Sequence, residues 1–127
     1  MVLVDSSVWI EYFKGNKDSL SLNKLLDLNY VCVNDLILTE LLPSINLKKE
    51  AALRELLHVI TKIPLNIGWN ALINMQTQNL KKGINKVGIA DLIIVQNVID
   101  NDLELFTFDK HFELMSRVHG FRLFSGK

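Results

Sequence analysis

The sequence predicts an α/β fold, a single domain over residues 1–127 with a mainly parallel central sheet of about four to five strands and helices on both faces. Short apolar runs rich in Val, Ile and Leu alternate along the chain with segments of helical periodicity. This alternation is typical of strands joined by helical crossovers. The 127 residues are 49% hydrophobic and 22% charged, which is the profile of one globular domain. No repeat or low-complexity linker divides them.

In the first half of the chain, short and fully apolar runs predict buried strands at residues 1–4 and 30–33. Helical spacing of apolar residues predicts four helices around them. Ser6 or Ser7 caps the first helix, Asn34 and Asp35 cap the third, and Pro43 ends or kinks that third helix. The four predicted helices cover residues 6–15, 18–29, 36–42 and 48–57.

In the second half, a weakly alternating run that stops before Pro64 predicts a strand over residues 58–63. A polar loop over residues 83–88 separates two helices, and the second of these is so apolar that it must be largely buried. Asp109 opens a short final helix. The predicted helices cover residues 67–82, 89–99 and 109–115, and the last two strands cover residues 103–108 and 121–124.

Charge and hydropathy exclude several classes of protein. Fourteen basic and fourteen acidic residues give no net charge, so no overall positive field attracts nucleic acid or a membrane surface. Every apolar run is shorter than the roughly 18 residues of a spanning helix, and no signal peptide is recognisable. We therefore expect a cytoplasmic protein. Cys32 is the single cysteine, which excludes an internal disulfide and a thiolate zinc cluster.

Four acidic residues lie where a parallel sheet gathers functional groups. Asp5 and Asp109 follow predicted strands, and Glu40 and Asp91 lie in strongly apolar helical segments. Each acid has an ordinary explanation by itself, as a helix cap or as a favourable charge in a first helical turn. Ligand sites of open parallel sheets, however, form beyond the carboxyl ends of the strands. Together, the four positions predict one acidic cluster.

Such a cluster needs a counter-charge. Two carboxylates about 5 Å apart repel by roughly 3 kcal/mol at an effective dielectric constant near 20, which is large against a typical stability of about 5–15 kcal/mol. A hard divalent cation, Mg²⁺ or Mn²⁺, is the partner that all-oxygen ligands favour, and it suits phosphodiester hydrolysis. The neighbouring hydroxyls of Ser6 and Thr107 are candidates for orienting a carboxylate or a water.

The motifs around the four acids resemble those of the PIN domain family, and within it the VapC toxins of toxin–antitoxin pairs. Each motif alone is weak, but their order and spacing match the family over nearly the whole chain. The matching segments are VLVDSSVWI at residues 2–10, TELL at 39–42, ADLII at 90–94 and FTFDKHF at 106–112.

The resemblance implies a Mg²⁺- or Mn²⁺-dependent endoribonuclease whose catalytic acids are Asp5, Glu40, Asp91 and Asp109. Asp5, Asp91 and Asp109 are then the expected metal ligands, with Asp109 binding directly or through a water, while Glu40 is a ligand or the general base. Ser6 and Thr107 match the family's hydroxyl positions. The resemblance also implies a homodimer and a cognate VapB-like antitoxin that blocks the site.

The other polar residues and the tryptophans allow weaker predictions. Setting the four acids aside leaves four more basic than acidic residues, and Lys14, Lys82, Lys86 and Lys110 are the candidate RNA phosphate contacts. His111 is more simply explained by packing or capping at its helix than by catalysis. Trp9 and Trp69 are expected in the core or in a dimer interface.

Two other functions are compatible with parts of the pattern. An aspartate-based phosphotransfer domain also has an Asp after its first strand, but dehalogenase-like sites have a second Asp two residues later, where this chain has Ser7. A catalytically idle PIN-like module for dimerisation or regulation is the second alternative. An idle cluster of four acids would only destabilise the domain, so the nuclease is favoured.

Overall fold

A five-stranded parallel sheet forms the centre of the computed structural model, which describes residues 1–125. The sheet confirms the predicted fold class, with every paired strand parallel. Its strands are β1 (Val2–Val4), β2 (Val31–Val33), β3 (Thr61–Lys62), β4 (Glu104–Phe106) and β5 (Arg122–Leu123). Their order across the sheet is β3-β2-β1-β4-β5.

Helices connect the strands and cover both faces of the sheet. Because parallel crossovers are right-handed, the helices that lead from β1 to β3 lie on one face, and those after β3 lie on the other. In agreement, α1 packs against α3, and α5 packs against α6 and α7. The helices are α1 (Ser6–Phe13), α2 (Ser21–Asp27), α3 (Asp35–Leu47), α4 (Ala51–Val59), α5 (Trp69–Lys81), α6 (Ile89–Asp100) and α7 (Lys110–His119).

The strand order creates one crevice at the carboxyl end of the sheet. From β1 the chain builds outward through β2 to β3, then returns to β4 on the opposite side of β1. Neighbouring strands β1 and β4 therefore send their following segments in opposite directions, which is the arrangement that opens a ligand crevice. The Asp5 N–H donates to the Phe106 carbonyl at 2.9 Å, which brings the ends of both strands together.

The residues predicted as a strand at 58–63 are mostly not one. Helix α4 continues to Val59, and only Thr61 and Lys62 pair with β2. Leu57 is buried while His58 and Val59 are exposed, so the apolar pattern here belongs to the last turn of an amphipathic helix. The segment 58–63 is too short for its apolar pattern to distinguish the 3.6-residue period of a helix from the two-residue period of a strand.

Helix ends also differ from the prediction. Helix α3 passes through Pro43 to Leu47, because Leu41 and Ile45 on either side of this exposed proline are both buried. Their burial offsets the roughly 3 kcal/mol that an interior proline costs. Helix α7 ends four residues beyond the predicted Met115, where Gly120 adopts a left-handed conformation with φ of 76°.

A buried amide network joins the two helical layers at the carboxyl end of β2. The Asn34 side chain caps α3 by accepting the Ile37 N–H at 2.9 Å, and it donates to the Asn97 side chain on α6 at 3.0 Å. The Asn97 amide in turn donates to the Pro64 carbonyl at 3.0 Å. Because Asn34 and Asn97 are buried, each bond satisfies a group that water does not reach.

We expect Asn97→Ala to lower the free energy of unfolding by about 2 kcal/mol, because it leaves the amide N–H group of the buried Asn34 without its acceptor. Urea unfolding followed by circular dichroism measures the change. Asn74→Ala, at an exposed position of α5, is the matched control and should shift stability by no more than about 0.7 kcal/mol. Equal effects of the two substitutions would contradict a stabilising role for the network.

Candidate functional site

Asp5 is the buried acid of the crevice, and two hydroxyls hold its carboxylate. The Ser7 Oγ donates to Asp5 Oδ2 at 2.7 Å, and the Thr107 Oγ1 donates to the same oxygen at 2.9 Å. Asp5 is 5% exposed. Among residues 1–125, no group donates a hydrogen bond to its other oxygen, Oδ1. One oxygen is thus fixed by the protein, and the other is free to meet a ligand.

Backbone groups orient both hydroxyls. The Phe108 N–H donates to Ser7 Oγ at 3.1 Å, and the Asp109 N–H donates to Thr107 Oγ1 at 3.0 Å. Each hydroxyl therefore accepts from the segment after β4 and donates its own proton to Asp5. These bonds tie the carboxyl end of β1 to the carboxyl end of β4.

Glu40 reaches the crevice from α3. Although part of its side chain is exposed, neighbouring protein atoms reduce the hydration of its carboxylate and raise its pKa. The negative charges of Asp5 and Asp91 raise this pKa further, while the Ser6 hydroxyl opposes the increase. Glu40 therefore lies in the electrostatic field of two other acids of the predicted cluster.

Asp91 enters the crevice from the first turn of α6. Burial raises its pKa, the charge of Asp109 raises it further, and Asp5 adds a smaller increase. The backbone N–H of Gly88 and the His111 imidazole act in the opposite direction. Gly88 is the N-cap of α6, so the start of the helix partly stabilises the Asp91 charge.

Asp109 is the N-cap of α7, and His111 packs against it. The Asp109 Oδ1 accepts the His111 backbone N–H at 2.9 Å, and the His111 Nδ1 lies 3.0 Å from the same oxygen. The structure therefore agrees with the predicted capping of the last helix by Asp109 and with the predicted packing of His111 at the start of that helix. In Asp109, as in Asp5, both of these side-chain hydrogen bonds go to the same carboxylate oxygen.

The four acids influence one another electrostatically but do not form a tight cluster. Within residues 1–125, no three His, Cys, Asp or Glu side chains approach closely enough to hold a metal ion together. Mg²⁺ commonly binds through one or two carboxylates and retains several waters, so the all-oxygen donors of this crevice fit such an ion in chemistry.

One functional side chain was missed from the sequence. Ser7, rather than Ser6, bonds Asp5, whereas Ser6 lies near Glu40. The cap of α1 is Asp5, and its side chain does not accept a capping bond. A serine two residues after an aspartate at a strand end is a pattern that favours such local side-chain bonds, and it was the available signal for Ser7.

The predicted RNA-contact lysines are all exposed, and two of them share a depression with an acid of the crevice. Lys14 lines a groove that also contains Glu40, and Lys110 lines a depression that contains Asp109. Lys82 and Lys86 lie between α5 and α6. The tryptophans differ: Trp9 is fully buried, whereas Trp69 is 60% exposed on α5.

The fold and site define an α/β protein with an acidic crevice where the strand order reverses, which is the place where open parallel sheets bind ligands. A family model described as the PIN domain matches residues 2–118. The chain therefore belongs to the PIN domain family. No curated protein matches it significantly in sequence. Within residues 1–125, none of the helices has the length and apolar character needed to cross a bilayer.

Solved structures share the fold at low sequence identity. The DNA-bound VapBC complex from Salmonella typhimurium contains a chain with a TM-score of 0.77 and 17% identity, covering 99% of this chain and 98% of that one. A chain of VapBC2 from Rickettsia felis, bound to a promoter DNA fragment, has a TM-score of 0.75 and 17% sequence identity, and the match covers 98% of each chain. A chain of FitAcB from Neisseria gonorrhoeae has a TM-score of 0.73 and 19% sequence identity, and the match covers 99% of this chain and 98% of that one.

The raised pKa of Glu40 predicts a pH-dependent stability effect in the absence of divalent cations. A carboxyl whose folded pKa exceeds its unfolded value stabilises the protein at low pH, and this contribution is lost as the pH rises through the folded pKa. Glu40→Gln removes the penalty of the charge. We therefore expect the metal-free variant to melt at a temperature equal to or above that of the wild type at pH 7, with any gap closing near about pH 4.

Thermal unfolding in chelator at both pH values measures this effect. Glu55→Gln, an exposed position of α4, is the matched control and should show no pH-dependent gain. A lower melting temperature of Glu40→Gln at pH 7 would instead indicate that the ionised Glu40 stabilises the fold.

Proposed function

We propose that this protein is a metal-dependent endoribonuclease and the toxin of a type II toxin–antitoxin pair. The observation that carries the proposal is that acids from four distant segments meet at one crevice: Asp5 and Asp91 act on Glu40, and Asp109 and Asp5 act on Asp91. A fold gains no stability from collecting like charges. Their convergence at the crevice therefore supports a functional role, and membership of the PIN domain family supports nuclease chemistry.

Asp5 and Asp91 are the proposed direct ligands of Mg²⁺ or Mn²⁺, with Asp109 as a further ligand or a partner through a water. Such a water-rich site agrees with the finding that, within residues 1–125, no three of these side chains converge on one point. A bound divalent cation would offset their charge, activate a water and stabilise charge on the leaving oxygen of a phosphodiester. Ser7 and Thr107 hold the Asp5 carboxylate in one orientation through Oδ2, which leaves Oδ1 as the oxygen for the proposed ion. In Asp109, Oδ1 caps α7, and Oδ2 is the oxygen for the proposed ion.

Glu40 is the proposed general base or a further ligand. A general base works best when its pKa lies near the working pH, and burial together with two neighbouring acids moves Glu40 in that direction. Ser6, near Glu40, is suited to orient this carboxylate. The two functions of Glu40 are alternatives, since a cation bound directly to Glu40 would lower its basicity.

The RNA substrate is proposed to lie across the crevice, with its phosphates on surrounding lysines. Lys14, Lys82, Lys86 and Lys110 are exposed, and Lys14 and Lys110 line depressions that also contain Glu40 and Asp109. With a cation in the crevice, the remaining surface carries an excess of basic residues, which favours a polyanion.

The proposed protein partners are a VapB-like antitoxin and a second copy of the chain. The antitoxin follows from the fold shared with proteins of the VapBC complexes. A homodimer is supported by exposed apolar side chains that form a stripe on α5 and continue at the start of α6, namely Trp69, Ile73, Leu80 and Ile89. Large exposed apolar patches of this kind are typical of protein interfaces.

We expect Asp5→Asn to abolish RNA cleavage, because the amide replaces a negatively charged ligand by a neutral group. Sequencing of RNA ends after brief induction in cells compares the wild type with this variant, and growth arrest gives a second readout. Asp27→Asn, at the exposed end of α2, is the control and should cleave like the wild type. Equal RNA ends in induced and uninduced wild-type cells would favour the idle, regulatory PIN-like module.

Millimolar Mg²⁺ or Mn²⁺ should raise the melting temperature, because an ion that binds the native state stabilises it. At ten times the dissociation constant the gain is about 1.4 kcal/mol, or roughly 4–8 °C for a domain of this size. Asp91→Asn should reduce the shift. Scanning calorimetry at constant ionic strength measures it, and an unchanged melting temperature of the wild type would contradict the proposed metal site.

A further inference from the structure

A groove of about 280 Å³ runs between α1 and α3 and begins at the candidate site. Its polar start is Glu40, which the Ser6 hydroxyl at the N-terminus of α1 approaches. Its floor is apolar and includes Ile10, Phe13 and Ile45. The Phe13 ring is backed by the buried Trp9 ring, with 5.6 Å between the ring centroids, so the floor is rigid.

The far end of the groove is basic. Lys14 follows α1, and Lys48 follows α3. Glu40, Ser44 and Lys48 are spaced by four residues and form one stripe on α3, so about 12 Å of helix separates the acid from the lysine. Both lysines lie at the end of their helices that is remote from Asp5.

Acidic residues at this end do not cancel the positive charge. Glu11 lies 3.8 Å from Lys14 in an exposed and therefore weak ion pair, and Glu50 lines the groove beside Lys48. An adjoining cavity that shares Ile45 and Glu50 adds two more cations, Lys49 and Arg54. The basic end therefore carries four cationic groups and two acidic ones.

We propose that this groove binds the nucleotide next to the scissile phosphate of the RNA. The inference rests on the proposed nuclease function and adds a substrate subsite to it. The scissile phosphate lies at the acids, the neighbouring base packs on Ile10 and Phe13, and the next phosphate contacts Lys14 and Lys48. In a single strand, a sugar links two successive phosphates and its base projects to the side. The acidic start of the groove suits the ion at the first phosphate, the apolar floor suits the base, and the basic end suits the second phosphate.

The test measures RNA binding by an uncleaving protein. In the Asp5→Asn background, fluorescence anisotropy follows a labelled 20-nucleotide single-stranded RNA of mixed sequence at several salt concentrations. Lys14→Ala with Lys48→Ala should weaken binding about tenfold and reduce the salt slope by about 0.7, since the two lysines share one phosphate and each phosphate contact on a single strand contributes about 0.7. The matched control, Lys17→Ala with Lys24→Ala, removes the same charge from exposed positions outside the groove.

A second measurement locates the base. Photocrosslinking of a 4-thiouridine RNA to the same protein, followed by mass spectrometry, should give adducts within residues 10–14 or 40–48. Crosslinks confined to other segments, or equal salt slopes for the groove and control variants, would overturn the subsite. If the groove binds a protein partner instead of RNA, we expect these two contrary results although the wild type still cleaves RNA. If the wild type neither binds nor cleaves RNA, the proposed nuclease function itself is wrong.

Discussion

Repulsion between carboxylates is the constraint around which the crevice is built. Glu40 lies in the field of Asp5 and Asp91, and Asp91 in that of Asp109 and Asp5, while three of the four acids are held by different contacts. Two hydroxyls fix Asp5, the start of α6 moderates the charge of Asp91, and Asp109 is engaged as the cap of α7. The sheet contributes the frame, because the reversal of strand order beside β1 opens the space that these acids enter.

The fold was largely predictable because its signals are local. Short apolar strands alternate with helical segments, and a parallel sheet buries such strands on both faces. The errors occur where local rules were overridden or too weak. Burial of Leu41 and Ile45 carries α3 through Pro43, and the run after Leu57 was too short to separate a helical end from a strand.

The position of the four acids was predictable, whereas of the two hydroxyls that bond Asp5 only Thr107 was predicted and Ser7 was not. Strand ends and apolar surroundings marked the four carboxylates, and their assignment as catalytic and metal-binding residues stays a prediction. The hydroxyl partners of Asp5 depend on contacts across the fold, since Thr107 is 102 residues away in sequence. Likewise, the exposure of Trp69 and the burial of Trp9 depend on how α5 and α1 pack, and composition alone does not determine this.

The paired hydroxyls on Asp5 have an energetic consequence. Ser7 and Thr107 each receive a backbone hydrogen bond and direct their protons to the same carboxylate oxygen. The rotamer freedom of Asp5 is therefore lost during folding rather than on encounter with a ligand. A ligand that engages Oδ1 meets a side chain already ordered, so less conformational entropy opposes its association.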